Sequence, residues 1–205
     1  MFGLSKFFHS ESEIDKAFRL GLNACAKQNY ADGMNWFLQA AEHGDSRALY
    51  SIGNLYENGQ GVPRDYVEAM KWYLKAASFG NVYAQYNLGV MYASGHGVQQ
   101  NYAKAAEWYI KSAEQGYVNA QNNLAVLYEN GLGVPQDYFE AEKWFRKAAE
   151  QGAAVAQANL GKMYLIGEGV EENYTEAAKW LRKAAVQGVP QAEQALQEMH
   201  LMRLI

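Results

Sequence analysis

Apolar and polar residues follow one another along this chain with the spacing of amphipathic helices, and the pattern comes in pairs of helices. In the segment AQYNLGVMY, Leu88 and Tyr92 recur at helical spacing, which predicts a first helix with one apolar face. A second helix follows, with Trp108, Tyr109 and Ala113 on its apolar stripe. The pattern therefore predicts a helix-turn-helix unit that buries one stripe of each helix.

Glycines and short polar residues mark where these helices end and begin. Gly95 and Gly97 allow a compact turn with positive φ after the first helix. Asn101 can then accept a hydrogen bond from an unpaired N–H at the start of the second helix. In three of the four full units a glutamate follows this cap by three residues, which is the spacing of a capping box. These pairs are Asp65/Glu68, Asp137/Glu140 and Asn173/Glu176.

All five tryptophans of the chain lie on a single period of 36 residues. They are Trp36, Trp72, Trp108, Trp144 and Trp180. One tyrosine series (Tyr56, Tyr92, Tyr128, Tyr164) and one glycine series (Gly44, Gly80, Gly116, Gly152, Gly188) keep the same step. A single hairpin cannot bury such large side chains, whereas stacked neighbours can. The predicted fold class is therefore all-α, a solenoid of stacked helix-turn-helix repeats.

The segment AQYNLGVMYASGHGVQQNYAKAAEWYIKSAEQG resembles the Sel-one-like repeat (SLR), a relative of the tetratricopeptide repeat (TPR). The resemblance implies a right-handed α/α superhelix whose first helices line a concave face. It also implies an adaptor that binds other proteins. One bacterial subgroup of the family is rich in paired cysteines and is linked to β-lactam binding. Because Cys25 is the single cysteine of this chain, that activity is not carried over.

On this basis the chain is interpreted as one repeat domain with atypical ends. Its parts are an N-terminal segment (1–11), a shorter TPR-like hairpin (12–44), four full SLR repeats (45–80, 81–116, 117–152, 153–188) and a C-terminal capping helix (189–205). The capping helix is expected to turn Leu196, Met199 and Met202 inward.

Composition narrows the classes of partner and the cellular compartment. The formal net charge is −4 and the pI is about 5.6, so no basic face for nucleic acid is expected. No apolar run approaches the roughly 20 residues that cross a bilayer, and no secretion signal is recognisable. The lone Cys25 cannot form an internal disulfide. A cytoplasmic, bacterial protein is the expectation.

The candidate binding residues come from the positions that line the groove of TPR folds. These are the second, fifth, ninth and twelfth positions of each first helix. With the neighbouring asparagines, the predicted partner-binding set is Arg47, Tyr50, Asn54, Glu57, Tyr83, Tyr86, Asn87, Val90, Asn122, Asn123 and Glu129. Four tyrosines (Tyr50, Tyr83, Tyr86, Tyr117) stand outside the recurring series, and three of them fall on groove positions. Tyrosine is enriched at interfaces, but these rings could equally pack between helices.

Catalysis has little support in the sequence. His9, His43, His96 and His200 have no Glu or Cys at ligand spacing, and no Ser, Cys or His arrangement indicates a nucleophile. We therefore expect no catalytic residue, no metal and no cofactor, and a partner that is a protein or a peptide segment.

Two other functions stay open beside the adaptor. One is a bacterial immunity or antitoxin protein that neutralises an effector, for which an acidic rim of Glu57 and Glu129 could suit a basic partner. The other, less favoured, is a hydrolase related to β-lactam chemistry. Self-association through the terminal segments, which include Phe2, Phe7 and Phe8, is also possible.

Overall fold

The computed structural model describes residues 12–205, and all of its regular structure is helical. The predicted segment 1–11, with its phenylalanines, lies outside the described residues. Across the described part the helices are α1 (Glu13–Ala26), α2 (Tyr30–Glu42), α3 (Ser46–Asn58), α4 (Tyr66–Ser78), α5 (Val82–Ser94), α6 (Tyr102–Glu114), α7 (Val118–Asn130), α8 (Tyr138–Glu150), α9 (Ala154–Ile166), α10 (Tyr174–Val186) and α11 (Pro190–Leu201). The predicted all-α architecture of paired helices is confirmed.

The chain divides into two compact units, one ending at Ala84 and the other comprising Gln85–Ile205. In the first unit, α1 packs on α2, α2 on α3, and α3 on α4. Its buried cluster contains Phe37, Ile52 and Leu55. The α1–α2 turn is only Lys27–Asn29, whereas seven residues, 59–65, join α3 to α4. The turn of the first hairpin is therefore four residues shorter than that of the second.

In the second unit the same hairpin recurs. From α6 onward each helix packs against the next, and α11 also contacts α9. The core of this unit contains Tyr109, Leu124, Phe145 and Leu160. Fully buried alanines occur in every hairpin, which lets the helices approach one another closely.

The turn glycines adopt the backbone conformation that their spacing predicts. Gly59 has φ 66° and Gly61 has φ 72°, in the left-handed region that favours glycine. A Cβ on Gly61 would lie 2.7 Å from the Cβ of Tyr30, at the start of α2. The turn of one hairpin is thus packed tightly against the preceding hairpin.

The predicted helix caps form, with the cap side chain accepting from the first turn of the helix. The other half of a capping box, in which the glutamate accepts from the cap N–H, is missing at these caps. The Asp65 side chain accepts hydrogen bonds from the backbone N–H groups of Val67 and Glu68. The backbone N–H of Asp65 itself donates to the Tyr56 carbonyl at 3.0 Å. The Glu68 carboxylate instead binds Lys71. The same arrangement recurs at Asp137 and Asn173, with Glu140 binding Lys143 and Glu176 binding Lys179.

The tryptophans are buried to different degrees. Trp144 and Trp180 are buried, whereas Trp108, which was predicted to be buried, is half-exposed. A lysine three residues later lies over four of the five indole rings, at 4.1 Å for Lys111 over Trp108; Trp36 has Gln39 at that place. At Trp108 the aliphatic stem and ammonium group of the lysine thus cover a ring that the helices leave half-exposed.

The prediction that Met202 points inward is wrong. Met199 is buried and Leu196 is half-buried, but Met202 is 68% exposed. The reason is that α11 ends at Leu201, and Met202 is its C-cap. Arg203 then takes φ 59°, so the chain leaves the helical stripe on which the prediction relied.

Candidate functional site

Tyrosines gather in each unit at the predicted groove positions. In the first unit the Tyr50 ring lies 5.7 Å from the Tyr73 ring and 5.6 Å from the Tyr83 ring, centre to centre. We call Tyr50, Tyr73 and Tyr83 the first tyrosine cluster. Tyr83 is 48% exposed, and Tyr50 is half-buried.

The second unit has a matching group. Tyr86 lies 5.8 Å from Tyr109 and 5.0 Å from Tyr117, in an edge-on contact with the latter. We call Tyr86, Tyr109 and Tyr117 the second tyrosine cluster. Burial raises the pKa of Tyr109 to about 12, although a hydrogen bond with Asn123 opposes the shift. Burial and the neighbouring Tyr117 also raise the pKa of Tyr86.

The two clusters share a repeated pair, which corrects the view that Tyr50 and Tyr86 are unrelated to the period. Tyr50 and Tyr86 are 36 residues apart, and so are their partners Tyr73 and Tyr109. The equivalent residues of the second helices elsewhere are Phe37, Phe145 and Leu181. Only two repeats therefore carry a hydroxyl at this position, and the sequence contained this signal.

A glycine in the first helix lets each of these rings pass close to the backbone. A Cβ on Gly53 would lie 2.5 Å from Cε1 of Tyr73. Gly89 has the same relation to Tyr109, at 2.5 Å from Cδ1. The ring can thus cross beneath α3 and present its hydroxyl to side chains on the predicted groove positions.

The hydroxyl of Tyr73 meets two such side chains. It lies 2.6 Å from Asn54 Oδ1 and 2.5 Å from Glu57 Oε2. One hydroxyl has one proton, so it cannot donate to both oxygens. The Asn54 amide turned by 180° would instead donate to the hydroxyl, which would then donate to Glu57. In that arrangement Glu57 is a carboxylate that Tyr73 holds in place.

Arg47, predicted to face a partner, is engaged within the first unit. Its Nη2 lies 2.6 Å from both Asp15 and Asp45 carboxylates, and its guanidinium stacks 4.6 Å from the Phe18 ring centre. Hydrogen bonds to Asp45 and Asp15 raise the pKa of Arg47. Burial favours the neutral form of Asp45, but hydrogen bonds from Arg47 outweigh it and lower the pKa of that carboxyl. Asp15 is a partner that the sequence reasoning missed.

Asn122 and Asn123, two of the three predicted asparagines of the second unit, line a cleft of about 390 Å³. Its walls are Tyr86, Asn119, Asn122, Asn123 and the first residues of α9. The Asn122 Oδ1 atom is buried there with no hydrogen-bond donor among the residues the structure describes. An acceptor of this kind costs about 1–3 kcal/mol while it stays unpaired.

The other predicted residues are less exposed to a partner. Asn87 is half-buried, and Val90 packs against the core of the second unit. Glu129 is paired with Lys162 at 3.6 Å, so the proposed acidic rim loses one of its two charges. Tyr50, Tyr83, Asn54 and Glu57 are connected in the first unit through Tyr73, whereas Arg47 lies in the same unit with other partners. The remaining six predicted residues lie in the second unit.

A second cleft, absent from the sequence interpretation, lies elsewhere in the first unit and measures about 610 Å³. Leu38, Leu49, Trp72 and Phe79 supply its apolar lining. In the second unit the positions equivalent to Leu49 and Phe79 are glutamines that bind each other. The pairs are Gln115 to Gln85 at 2.7 Å, Gln151 to Gln121 at 2.8 Å and Gln187 to Gln157 at 2.9 Å.

Comparison with known proteins now assigns the family. The Sel1 repeat model matches residues 15–45, 46–81, 82–117, 118–152 and 154–189. The chain belongs to the Sel1 repeat family. Sel1 repeats generally mediate protein–protein interaction and are generally not catalytic. No curated protein matches the chain.

Solved Sel1 repeat structures share the fold. A protective antigen of uropathogenic Escherichia coli with an SLR fold is 34% identical over 93% of this chain, with a TM-score of 0.89. The chain spans 42% of that protein. A Sel1 repeat protein from Oxalobacter formigenes is 33% identical over 89% of this chain and 75% of its own, with a TM-score of 0.85.

An immunity protein from Pseudomonas aeruginosa is more distant. It is 24% identical over 88% of this chain and 67% of its own, with a TM-score of 0.55. This likeness concerns the fold alone. Within the described residues, no helix is long and apolar enough to cross a membrane, and no group of three His, Cys, Asp or Glu side chains is placed to hold a metal ion.

Proposed function

We propose that this Sel1 repeat chain is an adaptor that binds a segment of a partner protein on the face of its first helices. The supporting observation is the placement of tyrosines on that face. Tyr83 is 48% exposed, and Tyr50 and Tyr86, which occupy predicted groove positions of α3 and α5, are half-buried. Tyrosine buries a large area on binding and loses little conformational entropy, which favours it at interfaces.

The cleft at Asn122 supports the same function in the second unit. A peptide offers one N–H donor and one carbonyl acceptor per residue, and an asparagine amide can pair with both. The buried Oδ1 of Asn122 lacks a donor within the described chain. Because that atom has almost no exposed surface, a partner segment can donate to it only if the Asn122 side chain turns into the cleft.

A pull-down from the native cell tests this proposal. Tyr83→Ala/Tyr86→Ala should lose the partner that the wild type recovers. The matched control is Phe139→Ala, which removes a ring that is 68% exposed on α8, a second helix. Equal recovery by wild type and the double variant, with an intact circular-dichroism spectrum, would remove the site assignment.

A second candidate is an immunity protein that neutralises a toxic effector. The Pseudomonas structure of that description has the same fold. Glu57, which has no cation within 4.0 Å in the described residues, favours a basic partner. Co-expression with a toxin encoded beside the gene should restore growth, and no protection would exclude this function.

Cytoplasmic location in a bacterium and the absence of enzymatic activity are part of the proposal. Fractionation of the native cell tests the first. A screen with β-lactam and ester substrates tests the second, and turnover above that of the denatured protein would contradict it.

A further inference from the structure

We propose that the first tyrosine cluster and Glu57 form a receptor for one positively charged side chain of the partner, preferably arginine. Glu57 is the counter-ion, and the row of rings from Tyr73 through Tyr50 to Tyr83 is the surface along which the bound side chain lies. This inference rests on the function proposed above and specifies the chemistry of the bound segment.

Glu57 is held in place but is not neutralised. Its carboxylate lies 2.5 Å from the Tyr73 hydroxyl, and no Lys, Arg or His of the described residues lies within 4.0 Å of it. Glu129 occupies the equivalent position two repeats later, where Lys162 pairs with it at 3.6 Å. The first unit thus keeps a groove carboxylate for which the described residues, 12–205, supply no cation.

Arg47, the basic residue of the predicted groove set, cannot serve this purpose. Arg47 is bound at 2.6 Å by both Asp15 and Asp45, which fixes its guanidinium beside Phe18. Arg47 precedes Glu57 by ten residues on α3, about 15 Å at the rise of an α-helix, so it does not offset the charge of that carboxylate.

The tyrosines supply faces on which a cation can rest. The three rings form a continuous row, with Tyr83 next to Tyr50 and Tyr50 next to Tyr73, whose hydroxyl touches Glu57. A cation over such a ring is attracted by its π electrons. Arginine is favoured over lysine because its planar guanidinium stacks on rings and can bind a carboxylate with two N–H groups.

The test uses N-acetyl-arginine amide as probe and the neutral N-acetyl-citrulline amide as its control, which has nearly the same shape. The full chain carries ¹³C-labelled tyrosine rings, whose NMR signals are assigned with single Tyr→Phe variants. The arginine probe should shift the signals of Tyr50 and Tyr83 saturably, more weakly at high salt. Citrulline should not do so.

Glu57→Gln should weaken binding of the arginine probe about tenfold, because a charged acceptor is replaced by a neutral one. Glu107→Gln, at an exposed glutamate of the second helix α6, is the control, and it should leave the affinity unchanged. Equal shifts with arginine and citrulline, no saturable shift, or full affinity in Glu57→Gln would overturn the cation assignment. If Tyr83→Ala/Tyr86→Ala nevertheless loses the partner, the proposed function survives without it.

Discussion

Replacement of Gly53 by alanine tests whether the close approach of the Tyr73 ring to α3, which brings its hydroxyl to Glu57, depends on the missing side chain of this glycine. In an isolated helix this change would stabilise the protein by about 1 kcal/mol. Here the new Cβ would lie 2.5 Å from Cε1 and 2.6 Å from Cδ1 of Tyr73, about 1 Å closer than ordinary carbon–carbon contact. Tyr73 is completely buried, so its ring cannot move into solvent.

Overpacking of this kind costs about 1–3 kcal/mol, which exceeds the helix gain. We therefore expect Gly53→Ala to destabilise the chain by about 1 kcal/mol in urea denaturation followed by circular dichroism. The control is the same change in a Tyr73→Ala background, where the ring is gone. There Gly53→Ala should stabilise the chain by about 1 kcal/mol. Stabilisation by Gly53→Ala in the wild-type background would refute the close approach of Tyr73.

Three further changes test the second cluster, the glutamine pairs and the apolar cleft. Between pH 10 and 12 Tyr109 loses its proton in the unfolded chain but keeps it in the folded one, so the free energy of unfolding falls as pH rises. Tyr109→Phe should abolish about 2–3 kcal/mol of this fall, measured by urea denaturation of wild type and variant at pH 10 and pH 12. Gln151→Ala should cost about 1–3 kcal/mol because Gln121, only 4% exposed, loses a hydrogen-bond partner; Gln151→Glu, which keeps an acceptor but not the donor, should not recover it. Leu49→Gln should destabilise the first unit by a similar amount, and adding Phe79→Gln should restore most of it by recreating a glutamine pair; additive losses would contradict the comparison.

The repeat and its helix ends were predictable from the sequence because they depend on local rules. A glycine with positive φ, an Asp or Asn cap and a helical apolar stripe each act within a few residues. Asp65 and Gly59 accordingly do what their spacing predicts. Met202 was misplaced because the end of a stripe does not reveal where the helix stops.

The chemistry of the groove was less predictable, because it depends on pairs from different helices. Nothing in the sequence near Arg47 shows that Asp15, 32 residues earlier, will bind it. Similarly, the 36-residue period does not reveal that the Tyr73 ring passes Gly53 and that its hydroxyl reaches Glu57. The ring lies in the core, whereas the hydroxyl contacts a predicted groove residue. Ala125, fully buried at the position equivalent to Gly53, shows that such spacing is set separately in each hairpin.

The most direct test of the proposed binding face is site-specific photo-crosslinking in the native cell. A benzoylphenylalanine is placed at Tyr83 or Asn122 on the first helices, and at Val67 or Phe139 on the second helices, which are 52% and 68% exposed. We expect the first-helix positions to crosslink one common protein and the second-helix positions to leave it uncaptured. Crosslinks to that protein from Val67 and Phe139, with none from Tyr83 and Asn122, would contradict the proposal.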